Sequence, residues 1–167
     1  MHSKLKGNIG EASVILALTK LGYNIFKELG DYSKIDLIAE KDTKLLRIQC
    51  KGLTPFDGKI QVPLTKSGPN YKYTYKESDF DYLGICDLDS GKVAFLSSKI
   101  LKEDRKTISL RVAPTKNNQR LKVWYFDDFS NIEDSSEAIR RGDDQSQEMV
   151  QTTTNRNVRH RKLCVVG

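Results

Sequence analysis

The sequence predicts an α/β fold with a central mixed β-sheet flanked by helices. Three observations carry this. The first segment places its apolar residues at helical spacing, the segments after it are short and alternate between apolar and polar, and two of them are self-complementary as a hairpin. In residues 5–22, Leu5, Ile9, Ala12 and Leu16 fall on one stripe and Val14, Ile15, Leu18 and Leu21 lie beside it. Lys6, Ser13 and Lys20 share the opposite face, and Gly22 suits a helix stop. Residues 23–28 read as a strand. Residues 35–40 and 44–51 read as two more around an Asp42-Thr43 turn. Residues 59–64 form a short edge strand limited by Pro63, and 66–76, opened by Ser67-Gly68-Pro69, read as a loop. Residues 81–87 and 92–96 flank Asp89-Ser90-Gly91 as a hairpin. Residues 99–103 suit one helical turn, 106–112 and 121–126 a last strand pair, and 128–140 the start of a short helix. From Gly142 onward the chain is polar and poor in aromatics. The expected organisation is one domain over 1–141 and a flexible tail over 142–167.

Composition narrows the chemistry. The 167 residues carry 28 Lys and Arg against 22 Asp and Glu, a formal charge of +6, which points to an anionic partner such as nucleic acid. The two histidines, His2 and His160, lie at opposite ends, so Ser-His-Asp, Cys-His and His-rich zinc chemistry are nearly excluded. Cys50, Cys86 and Cys164 are widely spaced and odd in number. That pattern fits a reducing cytoplasm better than a disulfide framework. No apolar run approaches membrane length, and the N-terminus lacks a signal-peptide core.

The informative segment is 35–51. Folded about Asp42-Thr43, it sets Ile35 opposite Cys50, Leu37 opposite Ile48 and Ala39 opposite Leu46, an entirely apolar face that fixes the register. The same register sets Asp36 opposite Gln49 on the other face, with Lys51 two residues on and pointing the same way. At about 100° per residue, Glu11 lies near Leu18 and Ile15 in the apolar arc of the first helix. A carboxylate there needs a partner charge or a metal, and the following sheet offers Asp36, Gln49 and Lys51. Two carboxylates and an amide carbonyl are hard donors suited to Mg²⁺, with Mn²⁺ as a substitute. Asp36 and Glu11 are the expected ligands, and Gln49 adds a carbonyl or orients water. Lys51 activates water or stabilises developing charge. The plainer alternative is a surface Asp36–Lys51 pair with Glu11 solvated on a frayed turn, and Arg47 paired across the hairpin with Glu40.

This constellation resembles the PD-(D/E)xK nuclease superfamily. Asp36 matches the first motif acid, Gln49 the D/E slot and Lys51 the motif lysine, and Glu11 after Gly10 looks like the extra helical acid of the resolvase-like branch. Ile35 stands where proline is frequent, and Gln49 removes a charge from the site. In size and order of parts the chain resembles the cyanobacterial group I intron homing endonucleases, with Holliday-junction resolvases as a near relative. The resemblance implies a restriction-endonuclease-like core over roughly the first half. It also implies a site-specific double-strand DNA endonuclease that acts as a homodimer or homotetramer. The alternatives are a junction resolvase and a non-catalytic DNA-binding module on a nuclease fold.

Two basic segments are candidate DNA contacts. Residues 59–76 contain four lysines and no acid. Within them Lys66, Tyr71, Lys72, Tyr73, Tyr75 and Lys76 combine phosphate-binding ammonium groups with rings able to stack on bases. The second segment, with Lys116, Asn117, Asn118, Gln119, Arg120 and Lys122, carries side chains that read major-groove edges, and its place between two predicted strands puts it on a two-stranded ribbon. The plainer readings are an exposed strand edge and a polar turn.

Overall fold

Alternation along the 35–51 segment sets the centre of the molecule. The structure, a computed structural model, describes residues 2–28, 33–68, 71–101, 105–114 and 123–133. Helix α1 (Ser3–Lys20) leads through Gly22 into strand β1 (Asn24–Lys27), followed by β2 (Leu37–Lys41) and β3 (Lys44–Leu53). Asp42 and Thr43 have φ of 49° and 66°, as a two-residue type I′ turn requires. The pairs Leu37–Ile48, Ile38–Arg47 and Ala39–Leu46 reproduce the register that the apolar face dictates, and Leu37, Ala39 and Ile48 are buried.

The chain continues through β4 (Lys59–Pro63), β5 (Thr65–Gly68), β6 (Tyr71–Thr74), β7 (Tyr82–Asp87), β8 (Val93–Ser97), β9 (Thr107–Arg111) and β10 (Trp124–Tyr125). Five strands form a mixed sheet in the order β1-β2-β3-β7-β8, in which β3 and β7 run parallel and the other neighbours antiparallel. The fold class is therefore the expected mixed-sheet α/β class, but among the described residues one α-helix and a second sheet, not helices on both sides, cover the central sheet. Helix α1 covers one face, packing Val14 and Leu18 on Leu37, Ala39, Ile48 and Phe95. On the other face a three-stranded sheet, β10-β9-β4, closes a second core of Ile60, Val62, Leu83, Ile85, Leu96, Ile108 and Leu110. Among the described residues no helix is long and apolar enough to cross a membrane.

Helix and sheet touch most closely at two glycines. A Cβ on Gly10 would lie 2.5 Å from the Gly52 nitrogen, and one on Gly52 would lie 2.2 Å from the Lys6 carbonyl oxygen. Any side chain at either position would force α1 off the sheet. Glu11 and Lys51 are the sequence neighbours of these two glycines, so the close approach draws both toward one region.

Several expectations need correction. Residues 66–76 are not a loop: β5 and β6 form a hairpin pairing Lys66 with Tyr73, Ser67 with Lys72 and Gly68 with Tyr71. The last strand pair is parallel, Trp124 beside Leu110 and Tyr125 beside Arg111. Strands β9 and β10 are therefore not the two arms of one antiparallel hairpin. Lys116, Asn117, Asn118, Gln119, Arg120 and Lys122 lie outside the described residues, as do the tail from Gly142, His160 and Cys164. Residues 98–100 form a single 3-10 turn, and another spans Phe126–Phe129. Arg47 pairs with Asp81 at 3.0 Å and donates to the Ser78 carbonyl, so it does not bridge to Glu40.

Candidate active site

Asp36 stands at the entrance to β2. Its N–H donates to the Ile48 carbonyl at 2.9 Å, which extends the hairpin ladder and sets it opposite Gln49. Its carboxylate accepts the Cys50 N–H at 2.6 Å and the Gln49 side-chain amide at 2.5 Å, both on Oδ2. Neither bond engages Oδ1. Burial pushes the Asp36 carboxyl above the usual carboxylate range. The Cys50 N–H pulls it back, the Glu11 charge pushes it up again, and Lys66 and Lys51 pull it down. Gln49 is 6% exposed. Because its amide nitrogen is committed to Asp36, its Oε1 is turned elsewhere, buried and without a hydrogen-bond partner.

Lys51 is two residues on along β3, on the same side as Gln49. Burial lowers its pKa, and Lys66 lowers it further, against the Asp36 charge that raises it. A lysine with a depressed pKa beside an acid is a feature common at catalytic centres. Cys50, between them, points to the opposite side of the strand, where burial holds its thiol well above its ordinary value. It packs, partly buried, against the helix-side core, consistent with its alternation.

Glu11 reaches the site from α1. Its carboxylate is 23% exposed and forms an ion pair with Lys27 of β1. The ion pair engages its buried Oε1, the oxygen that Lys27 Nζ approaches. Its charge acts on both Asp36 and Cys50. Lys27 was missed in the sequence: it pairs with Leu37 across the strands, but its side chain is exposed, so no pattern in β1 called for an anion. Lys66, on β5, was singled out for DNA, and its charge also acts on Asp36 and Lys51.

The donor set fits a hard divalent cation. The buried Gln49 Oε1 lacks a hydrogen bond beside a carboxylate whose Oδ1 is engaged by neither of its two donors, and Glu11 supplies a second carboxylate, paired with Lys27. Among the described residues no cluster of three His, Cys, Asp or Glu side chains could hold a metal. The third oxygen here is an amide, which such a cluster does not count.

The expected DNA-contact residues divide. Tyr71 and Lys72 are exposed on β6, Lys76 is exposed just beyond it, and Lys66 and Tyr73 are half-buried. Tyr75 is 4% exposed and belongs to the core, so it offers no ring to DNA. It was misassigned because its spacing from Tyr71 and Tyr73 suggested one face, whereas β6 ends at Thr74.

A PD-(D/E)XK endonuclease family model matches residues 1–132. Among solved structures, a bacterial homing endonuclease, I-Ssp6803I, is similar with a TM-score of 0.59 and 22% identity, over 72% of this chain and 84% of that one. No curated protein matches the chain.

Proposed function

Because the chain belongs to the PD-(D/E)XK endonuclease family, we propose that it is a metal-dependent, site-specific double-strand DNA endonuclease of the homing type. The observation that carries this reading is the convergence of Asp36, Gln49 and Lys51 at one end of the hairpin, with the unpartnered Gln49 Oε1 among them. Asp36, Glu11 and Gln49 would hold Mg²⁺, or Mn²⁺ in its place. Held there, the ion would supply Lewis-acid polarisation of the scissile phosphodiester. Lys51, with its pKa depressed by burial, orients the attacking water or neutralises charge building on the phosphate. The exposed Tyr71–Lys72 edge, with Lys66 and Lys76, grips the backbone. Asn118, Gln119 and Arg120 are the candidate readers of base edges.

The fold it shares with a homing endonuclease favours that type. Cutting both strands takes two sites, so we infer a homodimer or homotetramer. Free Cys50 and Cys86 fit a reducing, cytoplasmic setting. The test incubates the protein with Mg²⁺ and two substrates in parallel: a duplex library of intron-insertion sites and a synthetic four-way junction. The expected result is cutting at one duplex sequence, abolished in Lys51→Ala with DNA binding retained. Cutting of the junction alone would make it a resolvase. Binding without cutting in either metal would make it a binding module.

A further inference from the structure

The tyrosines of the β5–β6 hairpin form a ladder that runs inward. Tyr71 stacks on Tyr73, with centroids 6.3 Å apart and planes at 24°. Tyr73 meets Tyr75 edge-on at 5.3 Å, and Tyr75 meets Phe80 edge-on at 5.3 Å. Exposure falls along the ladder, from 51% at Tyr71 to 4% at Tyr75. Tyr75 is pinned by its backbone too, its N–H donating to the carbonyl of buried Leu64 at 2.8 Å. At the inner end, Lys51 Nζ lies 5.0 Å from the centroid of the Tyr75 ring. One step outward, Lys34 Nζ lies 4.8 Å from the Tyr73 centroid and bonds Asp79 at 2.7 Å, and Lys34 is two residues before Asp36. The ladder thus touches the strand that bears the lysine and the segment that bears the acid.

A lysine ends a flexible four-carbon stem, and its ammonium wanders unless something fixes it. Lys51 is largely removed from water, and a ring face in place of water attracts a cation strongly there. We propose that Tyr75 is a positioning residue for Lys51. Its ring holds the ammonium at the Asp36–Gln49 end of the hairpin, and the ladder connects that hold to the exposed Tyr71–Lys72 edge. The kinetic part of this proposal rests on the nuclease reading, and the contact itself does not.

The experiment separates the two. In protein carrying ¹³C-labelled lysine, the ε-methylene signal of Lys51 is assigned by its absence from Lys51→Ala. A ring above it displaces the signal upfield. The displacement is expected in the wild type and in Tyr75→Phe, and is expected to vanish in Tyr75→Leu. On a duplex that the wild type cuts, single-turnover cleavage by Tyr75→Leu should fall roughly ten- to thirtyfold, the scale of a desolvated cation–π contact. Its Kd for DNA should be unchanged, and Tyr75→Phe should restore the rate. An unshifted Lys51 signal in the wild type overturns the proposal even if Tyr75→Leu does not fold. A shifted signal that Tyr75→Leu abolishes without slowing cleavage overturns the positioning role. If the wild type shows the shift but cuts nothing with Mg²⁺ or Mn²⁺, the nuclease reading and the kinetic role fall together, and the contact stands.

Discussion

Asp36 carries an opposition that shapes the site. The proposed cation role needs it ionised, yet burial favours its protonated form. Its raised pKa means that the folded protein binds the proton more tightly than the unfolded chain. That contribution to stability is complete below the ordinary carboxylate pKa and is lost as pH rises through the raised value. Asp36→Asn is isosteric, and its amide oxygen can accept the same Cys50 and Gln49 donors. At neutral pH it should therefore melt above the wild type, with the difference shrinking to nothing as pH falls below about 4. Its cleavage rate should fall roughly a hundredfold or more. Melts across pH, beside cleavage assays, check both; a variant less stable than the wild type at neutral pH would mean that Asp36 is held for structure. At this scale Asp36, Gln49 and Lys51 were legible because alternation along two strands fixes which side each occupies. Lys27 was not, since its meaning depends on an acid sixteen residues away on the helix.

The hairpin and the helix crossing above it show why some elements could be read and others not. Strands β2 and β3 are joined by two residues, so the register follows from local pattern alone. The turn itself is imperfect. Thr43 is β-branched and held at a φ of 66°, a conformation that disfavours such residues. Thr43→Gly should raise stability by about 1 kcal/mol in chemical denaturation, and no gain would mean that the hydroxyl makes up for the strain. The β5–β6 hairpin was hidden because Ser67-Gly68-Pro69 reads in the sequence as the start of a loop. The parallel pairing of β9 and β10 depends on the path between them, and no pattern inside either strand encodes it. The α1–β3 crossing was also invisible, because Gly52 gains its meaning only where Gly10 meets it. Gly52→Ala should destabilise by roughly 1–3 kcal/mol. By displacing α1 it should also slow cleavage more than the stability loss explains at a temperature where the variant is still folded. Retained cleavage would show that Glu11 tolerates a shifted helix.

Over the whole molecule, a formal charge of +6 draws DNA in without choosing a sequence. The sequence shows this attraction but not how copies assemble, since assembly depends on surfaces that no single-chain pattern marks. Yet the proposed double-strand cut constrains assembly. One hairpin carries one Asp36–Gln49–Lys51 set, and one set attacks one phosphodiester. Two strands cut in one encounter need two sets held together, each facing its own strand. Mixing tests this directly. If wild type is exchanged with excess Lys51→Ala before DNA is added, most active sites will sit beside a dead one. The product should then shift from linear to nicked, with the wild-type strand cut at its usual rate. An unchanged share of linear product would show that one chain cuts both strands in succession. The two sites would then be independent, and the oligomer would not be needed for the break.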